Sequence, residues 1–444
     1  MKISSLFKAE GNKKKILLNV FWAMTGKIVN MLGSLFVGIL IARYLGPKQY
    51  GVMNYVISYV TLFTVLATFG LSNIEVRELA KSPNQKDAIL GTCFRIRFIC
   101  ASLAYALIII TLYIFKTDYF TTVMILLYGL ILYSQCCFEV IRNYFTSIVK
   151  NEYIVKSEIF RTIIGAVIKV VLLLLKAPLW CFIAAVTFDT ILVASGYLFS
   201  YKKYVGKISE WHYDKSIMPY FVKQSFPLLL SGAAIIVYQR IDQVMIGNMI
   251  DKESVGYFAT AGKFLDIILF LPTVLTQTVT PMIVKVYESS SKREYEYKSY
   301  QFISITLWIS IILAAVFSIM SYWMIYFTFG EKYLAAVPVL QIMAWKTAGN
   351  AISSSGGQLI IIEKIQKWAV IRNLAGCLVC VGLNLLLIPI YGIIGSSYVT
   401  IATIFVSGFL ANYFIKPYRH IFKLECKAFI FGWRELKYFK TFYK

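Results

Sequence analysis

Apolar runs of about 20 residues, enough to cross the hydrocarbon core of a bilayer as a helix, recur from one end of the chain to the other. Short polar stretches carrying Lys, Gly and Pro separate them. The spacing predicts twelve spans, at 17–42, 51–73, 93–115, 119–141, 158–176, 178–200, 220–249, 255–285, 300–328, 334–362, 367–388 and 392–416. All are read as helices, because a segment in lipid has to satisfy its backbone hydrogen bonds internally. Several exceed the minimum length, which implies tilt or extension beyond the bilayer. Pro227, Pro272, Pro281 and Pro338 fall in or near spans and are kink candidates.

Composition fits that reading. Of 444 residues, 59% are hydrophobic and 15% charged, against about a quarter charged in a soluble domain. Ahead of Pro417 no long stretch is plainly soluble, which leaves no room for a separate catalytic domain. A net charge of +23 would point to nucleic acid in a soluble protein. Here most Lys and Arg lie in short loops between apolar runs, the positive-inside pattern, so no nucleic-acid partner is expected.

Lys and Arg alternate in density from loop to loop, by about five to one, which places both termini in the cytoplasm and calls for an even number of spans. The opening residues, MKISSLFKAEGNKKK, run into a long apolar helix without a small-residue cleavage site. They read as a retained cytoplasmic tail and not as a signal peptide.

The eight cysteines lie almost entirely in apolar segments and read as small packing residues. Cys377 and Cys380 form a C-x-x-C, with no second pair or histidine nearby to complete a zinc site. Tyr44, Tyr50, Trp211, Tyr326 and Tyr418 fall near span ends and read as an interfacial belt.

An internal repeat is visible. IARYLGPKQYG at 41–51 aligns without gaps on IGNMIDKESVG at 246–256, pairing Ile41 with Ile246, Leu45 with Ile250 and Gly51 with Gly256. Each stretch joins the first and second span of its half. The chain then divides into a lobe at 1–200, a linker at 201–219, a second lobe at 220–416 and a basic tail at 417–444, with the substrate site expected between the repeats.

Four stretches carry a resemblance: IARYLGPKQYG at 41–51, YQRIDQVMIGNMIDKESVGYFATAGKF at 238–264, FGEKYLAAVPVLQIMAW at 329–345 and LNLLLIPIYGIIGSSYVT at 383–400. In this order they resemble the O-antigen, capsule and exopolysaccharide flippases of the multidrug/oligosaccharidyl-lipid/polysaccharide exporter superfamily. Each piece alone is a turn or packing motif. The resemblance implies an all-α, V-shaped, MATE-like fold of two six-helix lobes. It also implies transport of an undecaprenyl-pyrophosphate-linked oligosaccharide across a bacterial inner membrane, beside other polysaccharide-assembly proteins. The alternative within the superfamily is a secondary exporter of a cationic drug.

Ionisable groups inside spans are costly and mark cavities or pairs. The cations at such depth are Lys27, Arg161, Lys169, Arg240, Lys263 and Lys346, against Asp189, Asp242 and Asp266. The positive excess suits an anion such as a pyrophosphate. Lys27 shares a helical face with Asn30 and Ser34, and Lys346 lies in register with Asn350 and Ser354. Neither has a local acidic partner, so these two lead as cargo ligands. Lys263 with Asp266, and Lys169 with Asp189, read equally as structural pairs, leaving the aspartates as coupling or pairing groups. Arg95 and Arg97, at the start of a span, are expected to snorkel. No phosphate-binding G-x-x-x-x-G-K-[ST] occurs, and the two histidines, His212 and His420, are far apart in sequence. No metal, cofactor or catalytic function is expected.

Overall fold

The computed structural model describes the backbone from Ile3 to Tyr438 and the side chains from Met31 to Lys437. Among the described residues fifteen α-helices follow one another: α1 (Ile3–Thr68), α2 (Ser72–Lys81), α3 (Lys86–Ile114), α4 (Tyr119–Gly129), α5 (Phe138–Ser147), α6 (Asn151–Leu174), α7 (Leu179–Tyr204), α8 (Met218–Met249), α9 (Lys252–Ser289), α10 (Lys292–Thr328), α11 (Val337–Met343), α12 (Lys346–Ile362), α13 (Ala369–Phe405), α14 (Ala411–Phe414) and α15 (Arg419–Phe431). Among the described residues there is no strand. Helix starts follow local chemistry. Asp118, Asp251 and Ser291 each accept a backbone N–H of the first turn, at 2.9, 2.7 and 3.3 Å, and cap α4, α9 and α10.

Among the described residues, eight helical segments are long and apolar enough to cross a membrane. Two of them are interrupted. Gly46 in α1 has φ 73° and ψ 171°, and Gly392 in α13 has φ 59° and ψ −139°. A side chain at either position would be strained, and each break separates two of the apolar arms read from the sequence. The remaining expected spans, 158–176 and 334–362, fall on α6 and on α11 with α12. Lys156, Glu158, Arg161 and Lys169 dilute the hydropathy of α6. Pro227, Pro272 and Pro281 sit inside helices without non-helical dihedrals at those positions. π turns occur at Leu132–Cys137, between α4 and α5, and at Val406–Leu410, between α13 and α14.

The chain forms two compact units. One takes in the chain up to Leu45 and Tyr59–Ala233; the other takes in Gly46–Ser58 and the chain from Ala234 on. In the first, Leu71, Leu90, Val140, Phe145, Tyr201 and Phe221 centre an apolar core. Arg97 lies fully buried beside it, which overturns the expectation that it snorkels. Its guanidinium grips Glu75 through Nε (2.8 Å) and Nη2 (3.0 Å), and Nη1 donates to Glu139 and to the Cys136 carbonyl, both at 2.9 Å. Asn143 donates to the same Glu75 carboxylate. A buried charge survives only when paired and hydrogen-bonded to this degree. Arg95, two residues earlier and so on the opposite side of α3, is exposed and lies over the Tyr213 ring at 4.6 Å.

In the second unit α10 is central, and Phe302, Ile303, Leu307, Ile352, Leu359 and Tyr418 form its core. Tyr50 and Tyr418 are wholly buried, so neither belongs to an interfacial belt. The Tyr418 hydroxyl donates to the Ile365 carbonyl at 3.1 Å, and the Tyr50 ring meets Tyr333 edge-on. Position in sequence near a span end did not distinguish these buried rings from exposed ones.

Candidate functional site

The second unit encloses a polar cavity of about 340 Å³. α8 supplies Tyr238, Arg240, Asp242 and Gln243; α9 supplies Lys263 and Asp266; α12 supplies Lys346, Asn350 and Ser353. Helical periodicity explains the grouping. Positions 263 and 266, and positions 346, 350 and 353, fall on single helix faces, while 240 and 243 are one turn apart. Asn54, from the segment of α1 packed in this unit, and Thr400 of α13 complete the polar wall.

Five of the residues singled out by charge therefore share one cavity: Arg240, Lys263, Lys346, Asp242 and Asp266. Asp242 is deeply buried, and neutral donors hold its carboxylate. Asn384 donates to Oδ1 at 2.6 Å, the Cys380 thiol to the same oxygen at 3.4 Å, and Thr400 to Oδ2 at 2.9 Å. Both Asp242 oxygens are engaged by the wall, and Arg240, Lys263, Lys346 and Asp266 also line the space. Cations lining a concave polar wall act on an anion more strongly than isolated charges on an open surface. Gln243 is fixed by the Ser58 hydroxyl at 2.7 Å.

Of the other sequence candidates, Arg161, Lys169 and Asp189 lie elsewhere. Lys27 falls outside the residues whose side chains are described. Arg161 lines a separate pocket of about 210 Å³ in the first unit, with Arg142, Glu139, Glu158, Thr190 and Tyr197. Lys169 is ion-paired with Asp189, both largely buried. Gly165 lies against that carboxylate, where a side chain would collide with it. Neither Arg161 nor Lys169 nor Asp189 lines the 340 Å³ cavity.

Sequence reasoning passed over Cys380, Asn384 and Thr400, because a search for charges skips neutral residues. One signal was available. Cys380 and Asn384 are four apart on α13, so they share a face, and an asparagine within LNLLL has to find a partner or remain an orphan in lipid.

A family model described as polysaccharide biosynthesis protein matches residues 16–287, and one described as MatE matches residues 227–390. No curated protein matches the chain. Among solved structures the chain is similar to the lipid II flippase MurJ in an inward closed conformation, at 17% identity and TM-score 0.70, covering 94% of this chain and 92% of that one. It is similar to an inward-facing multidrug resistance MATE transporter at 13% identity and TM-score 0.63, covering 93% and 96%. A third similar structure is a transporter from Pyrococcus furiosus described by the reversed polarity of its binding pocket, at 14% identity, TM-score 0.56 and 96% of each chain. The shared fold is the all-α, MATE-like membrane fold.

Proposed function

Because the chain belongs to the polysaccharide biosynthesis protein family, we propose that it is a flippase for an undecaprenyl-pyrophosphate-linked oligosaccharide. It carries the repeat unit from the cytoplasmic to the outer leaflet of a bacterial inner membrane, with both termini in the cytoplasm. The supporting observation is the cavity of the second unit, where Arg240, Lys263 and Lys346 outnumber the two aspartates and Asp242 is already engaged by Asn384, Cys380 and Thr400. A pyrophosphate is a compact anion whose oxygens accept charge-assisted hydrogen bonds from such groups. An exporter of organic cations calls for the opposite balance.

Transport follows an alternating-access scheme in which ligand binding shifts the population between states. Lys346 and Arg240 bind the pyrophosphate in this scheme, and Asp242 is the coupling group. The undecaprenyl chain stays in lipid, and other assembly proteins act on the delivered unit. The test is a complementation assay in a strain lacking the protein. Mass spectrometry would quantify the lipid-linked glycan that accumulates, beside surface glycan and membrane-protein abundance. Variants Lys346→Ala and Arg240→Ala should accumulate the lipid-linked glycan at normal abundance. Normal surface glycan in the double variant, or loss of cationic drug resistance instead, would overturn the reading.

A further inference from the structure

Helix α15 begins directly after the last apolar helix, through one short turn at Lys416–Tyr418. One face of it is fixed to the second unit. Ile421, Glu425 and Ala428 are buried, and the Trp308 indole donates to the Ala428 carbonyl at 3.0 Å. Past its end, Gln301 donates to Glu435 at 2.9 Å. The opposite face is exposed and of one sign. Arg419, Lys423 and Lys427 follow one another at four-residue intervals, with Lys416 before them and Arg434 after. Both described carboxylates of the segment, Glu425 and Glu435, are buried and take hydrogen bonds from Asn412 and Gln301, so they leave the outward charge uncancelled.

Large apolar side chains are exposed alongside these cations: Phe429, Phe431, Ile430 (61% exposed) and Trp433 (54%). The Arg434 guanidinium lies over the Trp433 ring at 5.4 Å. A face for soluble polyanions has no use for exposed aliphatic and aromatic side chains. A helix lying in the headgroup layer uses both kinds of residue, apolar groups entering the acyl boundary while cations meet lipid phosphates.

We propose that α15 and the turn after it are a membrane-surface foot that binds anionic phospholipid headgroups. Its exposed cations form a headgroup site, and Phe429, Ile430, Phe431 and Trp433 anchor it in the acyl boundary. The site is distinct from the cargo cavity, and it holds whatever the cargo proves to be. Each juxtamembrane cation strengthens attraction to an anionic leaflet by about fivefold in affinity.

The test uses the full-length protein in nanodiscs of phosphatidylcholine, with and without phosphatidylglycerol. Native mass spectrometry measures affinity for added phosphatidylglycerol, and amide exchange reports on residues 419–437. Wild type should bind phosphatidylglycerol at least about tenfold more tightly than the K423Q/K427Q/R434Q variant, and its tail amides should exchange more slowly in the anionic discs. The charge-preserving K423R/K427R/R434K variant should retain both properties, which separates lost charge from lost folding. Equal affinity in wild type and the glutamine variant would overturn the proposal. So would equal exchange in the two lipid mixtures, or protection given by a soluble acidic peptide in place of the anionic discs.

Discussion

Gly51 and Gly256 press together with no room for a side chain on either. A Cβ on Gly51 would overlap the carbonyl oxygen of Lys252 and lie 2.9 Å from the Gly256 nitrogen; one on Gly256 would overlap the carbonyl oxygen of Pro47. The relationship is reciprocal. The repeat alignment pairs position 47 with 252 and 51 with 256, and each glycine meets the carbonyl of the other stretch's residue four positions earlier. Lys252 also lies over the Tyr55 ring and donates to the Gly247 carbonyl at 3.0 Å.

Alanine at either glycine should therefore destabilise the protein, by about 1–3 kcal/mol for an overpacked contact. The colliding atoms belong to backbone and cannot swing away as a side-chain tip could. Thermal unfolding in detergent of Gly51→Ala and Gly256→Ala checks this. Gly382→Ala is the control, since nothing lies within 4 Å of a Cβ built there. It should be neutral or slightly stabilising.

If the proposed function holds, Lys346→Ala should lower glycan export at least tenfold while protein abundance stays normal, and Lys346→Arg should recover part of it. Charge is kept in the second variant, while the guanidinium needs a different geometry. Surface glycan per unit of membrane-embedded protein is the quantity to compare.

Lys169 and Asp189 should behave as a structural pair. Either single neutralisation, Lys169→Met or Asp189→Asn, strands a partly buried charge and should cost about 3–5 kcal/mol. The Lys169→Met/Asp189→Asn double variant removes both charges and should melt closer to wild type than either single variant. Additive losses would refute the coupling.

Glu425 gives docking of α15 a pH dependence. Burial pushes its carboxyl from 4.5 up to about 8, against smaller opposing effects of the Asn412 amide and Arg372. Below pH 4.5 both docked and undocked tails hold the proton, and the docked helix has its full stability. Between 4.5 and 8 the undocked tail releases a proton that the docked tail retains, so docking weakens steadily as pH rises. Glu425→Gln should flatten this dependence and keep α15 protected at high pH. Amide exchange of residues 419–431 at about pH 5 and about pH 9, corrected for intrinsic rates, measures it.

Arg97→Ala should be among the most destabilising single changes in the first unit, because it leaves Glu75 buried without its bidentate partner. Arg97→Lys should remain severe, since an ammonium cannot make the paired bonds to both Glu75 oxygens. Membrane-inserted yield and melting temperature report the loss.

The helical membrane fold was legible because it rests on a short-range signal, apolar length, which any window of the chain reveals. Charges within those lengths led to Arg240, Asp242, Lys263, Asp266 and Lys346, all of which line the same cavity. What stayed hidden depends on contacts distant in sequence. Arg97 looked like a snorkelling residue because Glu75 and Glu139 come from other helices. Cys380 looked like packing because the carboxylate it serves lies in α8. Tyr50 and Tyr418 occupy interfacial positions in sequence, but neighbouring helices close over them. Periodicity tells which face of a helix is polar, but not what that face meets.

The backbone passes between the two units three times, at Leu45–Gly46, Ser58–Tyr59 and Ala233–Ala234. The second crossing lies within the part of α1 that follows Gly46, and the third lies inside α8, where continuous i to i−4 hydrogen bonds resist twisting. Gly46 alone among the three already stands outside helical dihedrals. Torsion along the chain is therefore released at Gly46, while the helices around residues 58 and 233 act as stiff struts.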